Sequence, residues 1–391
     1  MPTLFETWRN ASPFYDESHQ ALADSVRRFI EREAVPHVEG WEEAGIVPRD
    51  FHRKAGGAGL LGLGFPEAQG GTSEGIDIFH KLVLVEETAR SGAGGVQAGL
   101  FTHYVSLPLL IEHGDPTLVD RIAPEVLSGE KILAIAVTEP SGGSDVAALR
   151  TRAVRDGGDY VVNGSKTFIT NGMRADYYLV AVRTGDAETG GISMLLIEAD
   201  RAGFSRTSLK KMGWHASDTA TLHFDDVRVP VSNRIGEEHR GFRNLLKNFN
   251  AERLQAAQQC TSFARICLEE AIAWAGERAT FGKKLGQHQS IRIKLADMAR
   301  RIGATQAWID LAAWQFQQGK ASAADLSLLK VQATLMFEKV AREAAQILGG
   351  ASYIRGSVVE RIYREVRVVA IGGGSEEILL DMAGRQMGFG E

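Results

Sequence analysis

Along 391 residues the spacing of apolar side chains changes twice, from helical to alternating and back to helical. Residues 1–131 form a helical zone. Leu22, Val26, Phe29 and Ile30 recur at helix spacing between Asp16 and Ala34, and Pro36 marks the stop. His80–Ala89, Val105–His113 and a segment from Pro116 to Val126 read the same way. In residues 132–235 alternation and β-branched content rise, at Tyr160–Val162, Tyr177–Val182, Ile192–Ile197 and Ala220–Phe224. Asp156-Gly157-Gly158, Asn163-Gly164 and Asn171-Gly172 separate these runs as turns, which predicts a small antiparallel barrel or sandwich. Residues 236–391 return to helix spacing, with one stripe through Ile291, Leu295, Met298 and Ile302 and a helix over Leu326–Leu348 that stops at Gly349-Gly350. Long helices with short links predict a bundle. The fold class is therefore α+β, mostly α, in three domains: 1–131 helical, 132–235 a β-barrel, 236–391 a four-helix bundle.

Charge and cysteine content exclude several functions. A net charge of −5 with no dense basic cluster argues against a nucleic-acid partner. Cys260 and Cys267 lie two helical turns apart and read as small core residues. No apolar run is long enough for a membrane span, and no basic start precedes an apolar stretch at the N-terminus, so the expected location is cytoplasmic. The ten histidines show no ligand spacing, and no metal is expected.

Gly57-Ala58-Gly59-Leu60-Leu61-Gly62 matches GxGxxG, but Phe51–Ala55 before it reads as helix, where a dinucleotide site needs a strand. A stronger signal is Ile135-Ala136-Val137-Thr138-Glu139-Pro140-Ser141-Gly142-Gly143-Ser144-Asp145, a strand running into a Gly/Ser loop. Such a loop offers N–H groups and hydroxyls to a polar or anionic ligand, and it equally describes a surface turn. In Lys166–Gly172, Phe168 and Thr170 alternate onto one side of a strand, where they could hold a planar heterocycle or simply end a half-buried strand.

Together, VTEPSGGSD and KTFITNG resemble the flavin signature of the acyl-CoA dehydrogenase family. FGKKLGQHQSIRIKLADM after Arg278, QILGGASYIRG and IGGGSEEI continue the likeness in order over some 240 residues. The resemblance implies a helical, barrel and four-helix-bundle order, FAD as cofactor, an acyl-CoA substrate, an electron-transferring flavoprotein as partner, and a homotetramer. It implies that Ile135, Ala136, Val137, Thr138, Gly143, Ser144, Phe168, Ile169 and Thr170 line the flavin, with Phe168 where many members carry Trp. Arg278, Phe281 and Gln289 would meet the pyrophosphate and adenine end. Gln346, Gly349 and Gly350 would do so from a neighbouring subunit, and Ser375 and Glu377 would close the site. Ser144, Asn250, Arg253, Gly372 and Gly373 would contact substrate.

Many members carry the catalytic Glu in the C-terminal loop, where this chain has Gly372 and Gly373. Glu252, in Phe249-Asn250-Ala251-Glu252-Arg253-Leu254, stands where isovaleryl-CoA and long-chain members carry it instead. The resemblance thus makes Glu252 the base and the Gly373 N–H a donor to the thioester oxygen. Rival readings are an acyl-CoA or nitroalkane oxidase using oxygen, a dehydrogenase of carrier-protein thioesters, and a helical scaffold without flavin.

Overall fold

A computed structural model describes residues 4–185 and 190–390; residues 1–3, 186–189 and 391, assigned above to the three zones, lie outside the described residues. In chain order the helices are α1 (Leu4–Ala11), α2 (Glu17–Glu33), α3 (Val38–Ala44), α4 (Arg49–Gly57), α5 (Ile78–Thr88), α6 (Gly94–Leu100), α7 (His103–His113), α8 (Pro116–Leu127), α9 (Gly241–Glu277), α10 (Gln289–Gln317), α11 (Ala323–Leu348), α12 (Val358–Val369) and α13 (Glu376–Gln386). The strands are β1 (Leu133–Ala136), β2 (Arg152–Asp156), β3 (Asp159–Thr170), β4 (Tyr177–Arg183), β5 (Ile192–Glu198), β6 (Phe204–Ser208), β7 (Thr219–Pro230), β8 (Arg234–Ile235), and the small hairpin β9 (Ala279–Thr280) and β10 (Lys283–Lys284). No helix among the described residues is long and apolar enough to cross a membrane.

Capping chemistry sets the helix starts. The Asp16 carboxylate accepts from the Ser18 and His19 N–H groups, and Asp77 accepts from His80. Asp115 caps α8, whose first residue is Pro116. Ser322, Ser357 and Ser375 cap α11, α12 and α13. Gly349, at φ +60°, ends α11. The Gly57–Gly62 segment follows α4 rather than a strand. Gly59 there has φ +76°, and a Cβ on Gly62 would lie 3.1 Å from the Gly71 Cα, so turn geometry and close approach account for these glycines.

The chain folds as two compact units: Met1–Glu39, Ile76–Gln97 and Asn250–Glu391 form one, Gly40–Gly75 and Ala98–Phe249 the other. The helices of the first zone are shared between them, because α2 packs on α5 and α5 on α10. In the bundle-containing unit α11 is central, with α10, α12 and α13 packed on it. Cys260 and Cys267 are buried and unpaired there.

The sheet-containing unit holds eight strands paired in the order β6-β7-β3-β2-β4-β5-β8, mostly antiparallel, with β1 parallel to β4. β4 and β5 are buried on both faces. One face, with Leu179, Ala181 and Met194, packs on Leu107, Leu110, Ile122 and Val126 of α7 and α8. The other, with Tyr178, Val180 and Leu195, meets Val162, Leu222, Phe224 and Val227 of β3 and β7, so the sheet curls over its own core. Each such aliphatic side chain contributes about 1.5–3 kcal/mol on burial.

Candidate active site

In the sheet-containing unit, β1 delivers the Gly/Ser loop. Ile135 and Ala136 pair with Leu179 and Val180 of β4, and the Thr138 carbonyl accepts from the Thr167 N–H at 2.8 Å, tying the loop to β3. Gly143 folds back, so that a Cβ there would lie 3.3 Å from Thr138 Cγ2. One buried carboxylate organises the whole loop. Glu139 accepts from the Arg150 and Thr151 N–H groups at 2.7 and 2.8 Å and from Lys166 Nζ at 2.9 Å. Lys166 Nζ also donates to the Val137 carbonyl at 2.9 Å. Burial pushes the Glu139 carboxyl up, but the Lys166 ammonium and the N–H donors outweigh it and hold it at about 2. Burial pulls the Lys166 ammonium down to about 8, against the attraction of Glu139.

Both partners lie inside the two segments singled out in the sequence, where neither was given a role. The signal available was a lysine directly before the Thr167–Asn171 run. We expect Lys166→Met to leave Glu139 buried and unpaired, costing about 3–5 kcal/mol, read as a lower urea midpoint at pH 7. The folded Glu139 group titrates below its ordinary 4.5, so its stabilisation is complete above that pH and is lost as pH falls toward about 2.

The expected regular alternation of β3 is interrupted. The register on β7 shifts between Lys166 and Ile169, and Phe168 takes φ +59°. A bulge at a non-glycine residue stores strain and re-aims the side chain. Phe168 is 70% exposed while Thr167 and Ile169 on either side are buried. Phe168 and Thr170 nonetheless remain on the open side. The Thr138, Ser144 and Thr170 hydroxyls make no hydrogen bond to other described residues.

In the bundle-containing unit, α9 carries Glu252, half-buried, and a Cβ built on Gly373 would lie 3.5 Å from Glu252 Oε1. Burial raises the Glu252 carboxyl, with Arg253 and Lys330 opposing. Arg253 donates to Asn250 Oδ1 at 3.1 Å, and its own Nε is buried without a partner among the described residues. Gly372, Gly373 and Gly374 link α12 to α13. Gly372 N–H closes on the Val368 carbonyl at 2.8 Å, while Gly373 and Gly374 take φ +66° and +97°. Ser375 caps α13, and Glu377 stands exposed in its first turn.

Elsewhere in the same unit a cleft of about 420 Å³ is lined by Trp274, Arg278, Thr280, Leu285 and the segment Ile347–Ala351. Arg278 and Gly349-Gly350 line this cleft together within one chain. Phe281, at the hairpin tip beside it, has φ +48° and is 97% exposed. Gln289 begins α10 and Gln346 lies in the last turn of α11, both exposed.

The histidines also meet once, against the expectation from spacing. His19, Asp77 and His80 place one ligand atom each within 4.8 Å of one another. His19 Nε2 and His80 Nδ1 both contact Asp77 Oδ1, at 3.0 and 2.8 Å. Sequence spacing missed this because packing of α2 on α5 joins the residues.

The structure thus combines a mostly helical α+β fold, a strand-fed Gly/Ser loop and, in the bundle-containing unit, a half-buried helical carboxylate beside a glycine loop. Comparison gives the particular family. Models described as "Acyl-CoA dehydrogenase, N-terminal domain", "middle domain" and "C-terminal domain" match residues 16–130, 134–227 and 239–388. Acyl-CoA dehydrogenase AFT10-1 of Alternaria alternata is 38% identical over 94% of this chain and 91% of its own. The mitochondrial long-chain specific acyl-CoA dehydrogenase of Sus scrofa is 35% identical, covering 95% and 87%. The crystal structure of an acyl-CoA dehydrogenase from Geobacillus kaustophilus superposes with a TM-score of 0.93 at 35% identity, covering 96% and 100%. The chain belongs to the acyl-CoA dehydrogenase family. It is a flavoprotein oxidoreductase acting on acyl-CoA, with FAD as cofactor.

Proposed function

We propose that this chain removes the α-proton of an acyl-CoA thioester with Glu252 as base, giving a trans-2-enoyl-CoA. The observation that carries the reading is the Glu252 carboxylate lying 3.5 Å from the Cβ position of Gly373, a glycine whose N–H has no partner among the described residues. A thioester α-proton is too weakly acidic for a solvated carboxylate. Burial makes the carboxylate a stronger base, and the Gly373 N–H stabilises the negative charge that develops on the thioester oxygen. The Arg253 Nε, buried without a partner among the described residues, and Asn250 would orient the substrate's polar groups.

The residues fit FAD. Thr138, Ser144 and Thr170 hydroxyls and the exposed Phe168 ring suit a planar, hydrogen-bonding ring system, with Ile135, Ala136, Val137, Gly143 and Ile169 beside them. The cleft at Arg278 and Gly349-Gly350 suits a pyrophosphate and adenine, and Phe281, Gln289 and Gln346 would contact the same groups. Ser375 and Glu377 would close the flavin end. FAD, when bound, accepts the β-hydrogen as hydride.

The two glycines at 372 and 373 leave space beside the reacting carbons, which supports a long or branched acyl group. A panel of butyryl-, isovaleryl-, octanoyl- and palmitoyl-CoA should give its highest kcat/KM on isovaleryl- or palmitoyl-CoA; best turnover on butyryl-CoA would contradict this. Electrons then pass to an electron-transferring flavoprotein. The same proposal includes domain limits at 131/132 and 235/236, a homotetramer, and a cytoplasmic location.

A further inference from the structure

We infer that Lys330 is the positioning residue that holds the Gly372–Gly374 loop over Glu252, so that proton abstraction depends on this lysine through the loop. The inference rests on the reading of Glu252 and Gly373 given above.

Lys330 lies about two turns into α11 and is 1% exposed. Its Nζ donates to the Gly374 carbonyl at 2.8 Å. Among the described residues it makes no ion pair within 4 Å. A buried ammonium with no carboxylate partner is costly, and a Leu or Met would pack α11 against α13 as well. Its retention therefore needs a reason beyond packing.

The loop supplies one. Three successive glycines have no side chains to anchor them, and two of them hold left-handed φ values. One end is fixed by the Gly372 N–H bond to Val368, the other by the Ser375 cap of α13. The Lys330 bond is the one side-chain hydrogen bond to these glycines among the described residues. It grips the residue next to Gly373, whose N–H must point at the thioester oxygen. A displacement of about 1 Å in such a donor can cost about 100-fold in rate.

The groups around the ammonium are Glu252, Arg253 and Cys260 on α9, and Glu376 at the start of α13. Glu376 is itself held by the Thr334 hydroxyl at 2.6 Å. Burial lowers the Lys330 ammonium, while Cys260, Glu376 and Glu252 oppose that. The lysine charge in turn restrains the rise of the Glu252 carboxyl.

The test uses the FAD-loaded enzyme and the variants Lys330→Met and Lys330→Arg. For Lys330→Met, kcat should fall about 100-fold while KM for acyl-CoA changes little. The acid limb of the kcat/KM profile should move upward, because the restraining charge is gone. Binding of acetoacetyl-CoA as its enolate, which involves no redox step, should weaken about 10-fold or more. Lys330→Arg should keep the wild-type acid limb and recover most of kcat. A lysine that served only packing would lower thermal stability and leave kcat per bound flavin, the acid limb and enolate binding unchanged; that result overturns the inference. Should Lys330→Met not retain flavin, Lys330→Ala removes the same donor, and wild-type kcat per bound flavin with wild-type enolate binding in it overturns the inference equally. Glu252→Gln run in parallel separates the two readings: full activity in that variant refutes the base assignment, whatever Lys330 does.

Discussion

Mixed anaerobically with a good acyl-CoA substrate, Glu252→Gln will keep its yellow FAD spectrum and reduce between about 10² and 10⁴ times more slowly than the wild type. The substitution preserves shape and removes the only property the mechanism needs, a lone pair basic enough to take the α-proton. Neighbouring groups in the same unit are left in place: Arg253 keeps its bond to Asn250, and Lys330 keeps its bond to Gly374. Flavin content and KM should therefore stay close to wild type, which separates lost chemistry from lost folding. The wild-type pH profile carries the same information. Burial raises the Glu252 carboxyl above its ordinary 4.5. Its deprotonated form is the active one, so kcat/KM must rise with pH through an apparent pKa above that value. Stopped-flow absorbance of the flavin checks both statements.

The second large effect is at Gly373. The residue has φ +66°, where a side chain costs about 1–2 kcal/mol in backbone strain. A new Cβ would lie 3.5 Å from Glu252 Oε1 and 4.0 Å from its carboxyl carbon. That is contact rather than collision, so Gly373→Ala should fold and bind FAD. It would however fill the space beside the base and draw the backbone away from its left-handed conformation. Both changes disturb the N–H that stabilises the thioester oxygen, and kcat should fall about 100-fold or more. Steady-state kinetics with unchanged flavin content would establish it. Wild-type kcat in Gly373→Ala would mean that the donor lies elsewhere.

The sequence was most legible where local chemistry decides structure. The helices expected from Asp16 and from Pro116 are present, and the Asp16 and Asp115 side chains cap them. Gly157-Gly158 and Asn171-Gly172 fall where β2 and β3 stop, but Asn163-Gly164, expected as a turn, lies inside β3, where the pairing with β7 absorbs it as a register shift. Glu252 lies on α9, the helical position the resemblance implied. What could not be read depends on long-range packing. The Phe168 bulge is imposed by β7, whose residues are more than fifty positions away. The Glu139–Lys166 pair and the Lys330–Gly374 bond join residues 27 and 44 apart, and no period or motif encodes such a meeting. Two histidines on separate helices converge on Asp77 for the same reason. The sharing of the first helical zone between two compact units is likewise a packing outcome, invisible to a reading that proceeds zone by zone.

Proton removal can be observed without any electron transfer. In a 3,3-difluoroacyl-CoA the β-carbon has no hydrogen to give up as hydride, and loss of the α-proton expels fluoride to leave the 3-fluoro-enoyl thioester. Fluoride release from this compound by the FAD-loaded protein, followed with a fluoride electrode, is the reading to take. The wild type should release fluoride catalytically, and Glu252→Gln no faster than buffer. Equal release by the two proteins would show that another group takes the proton.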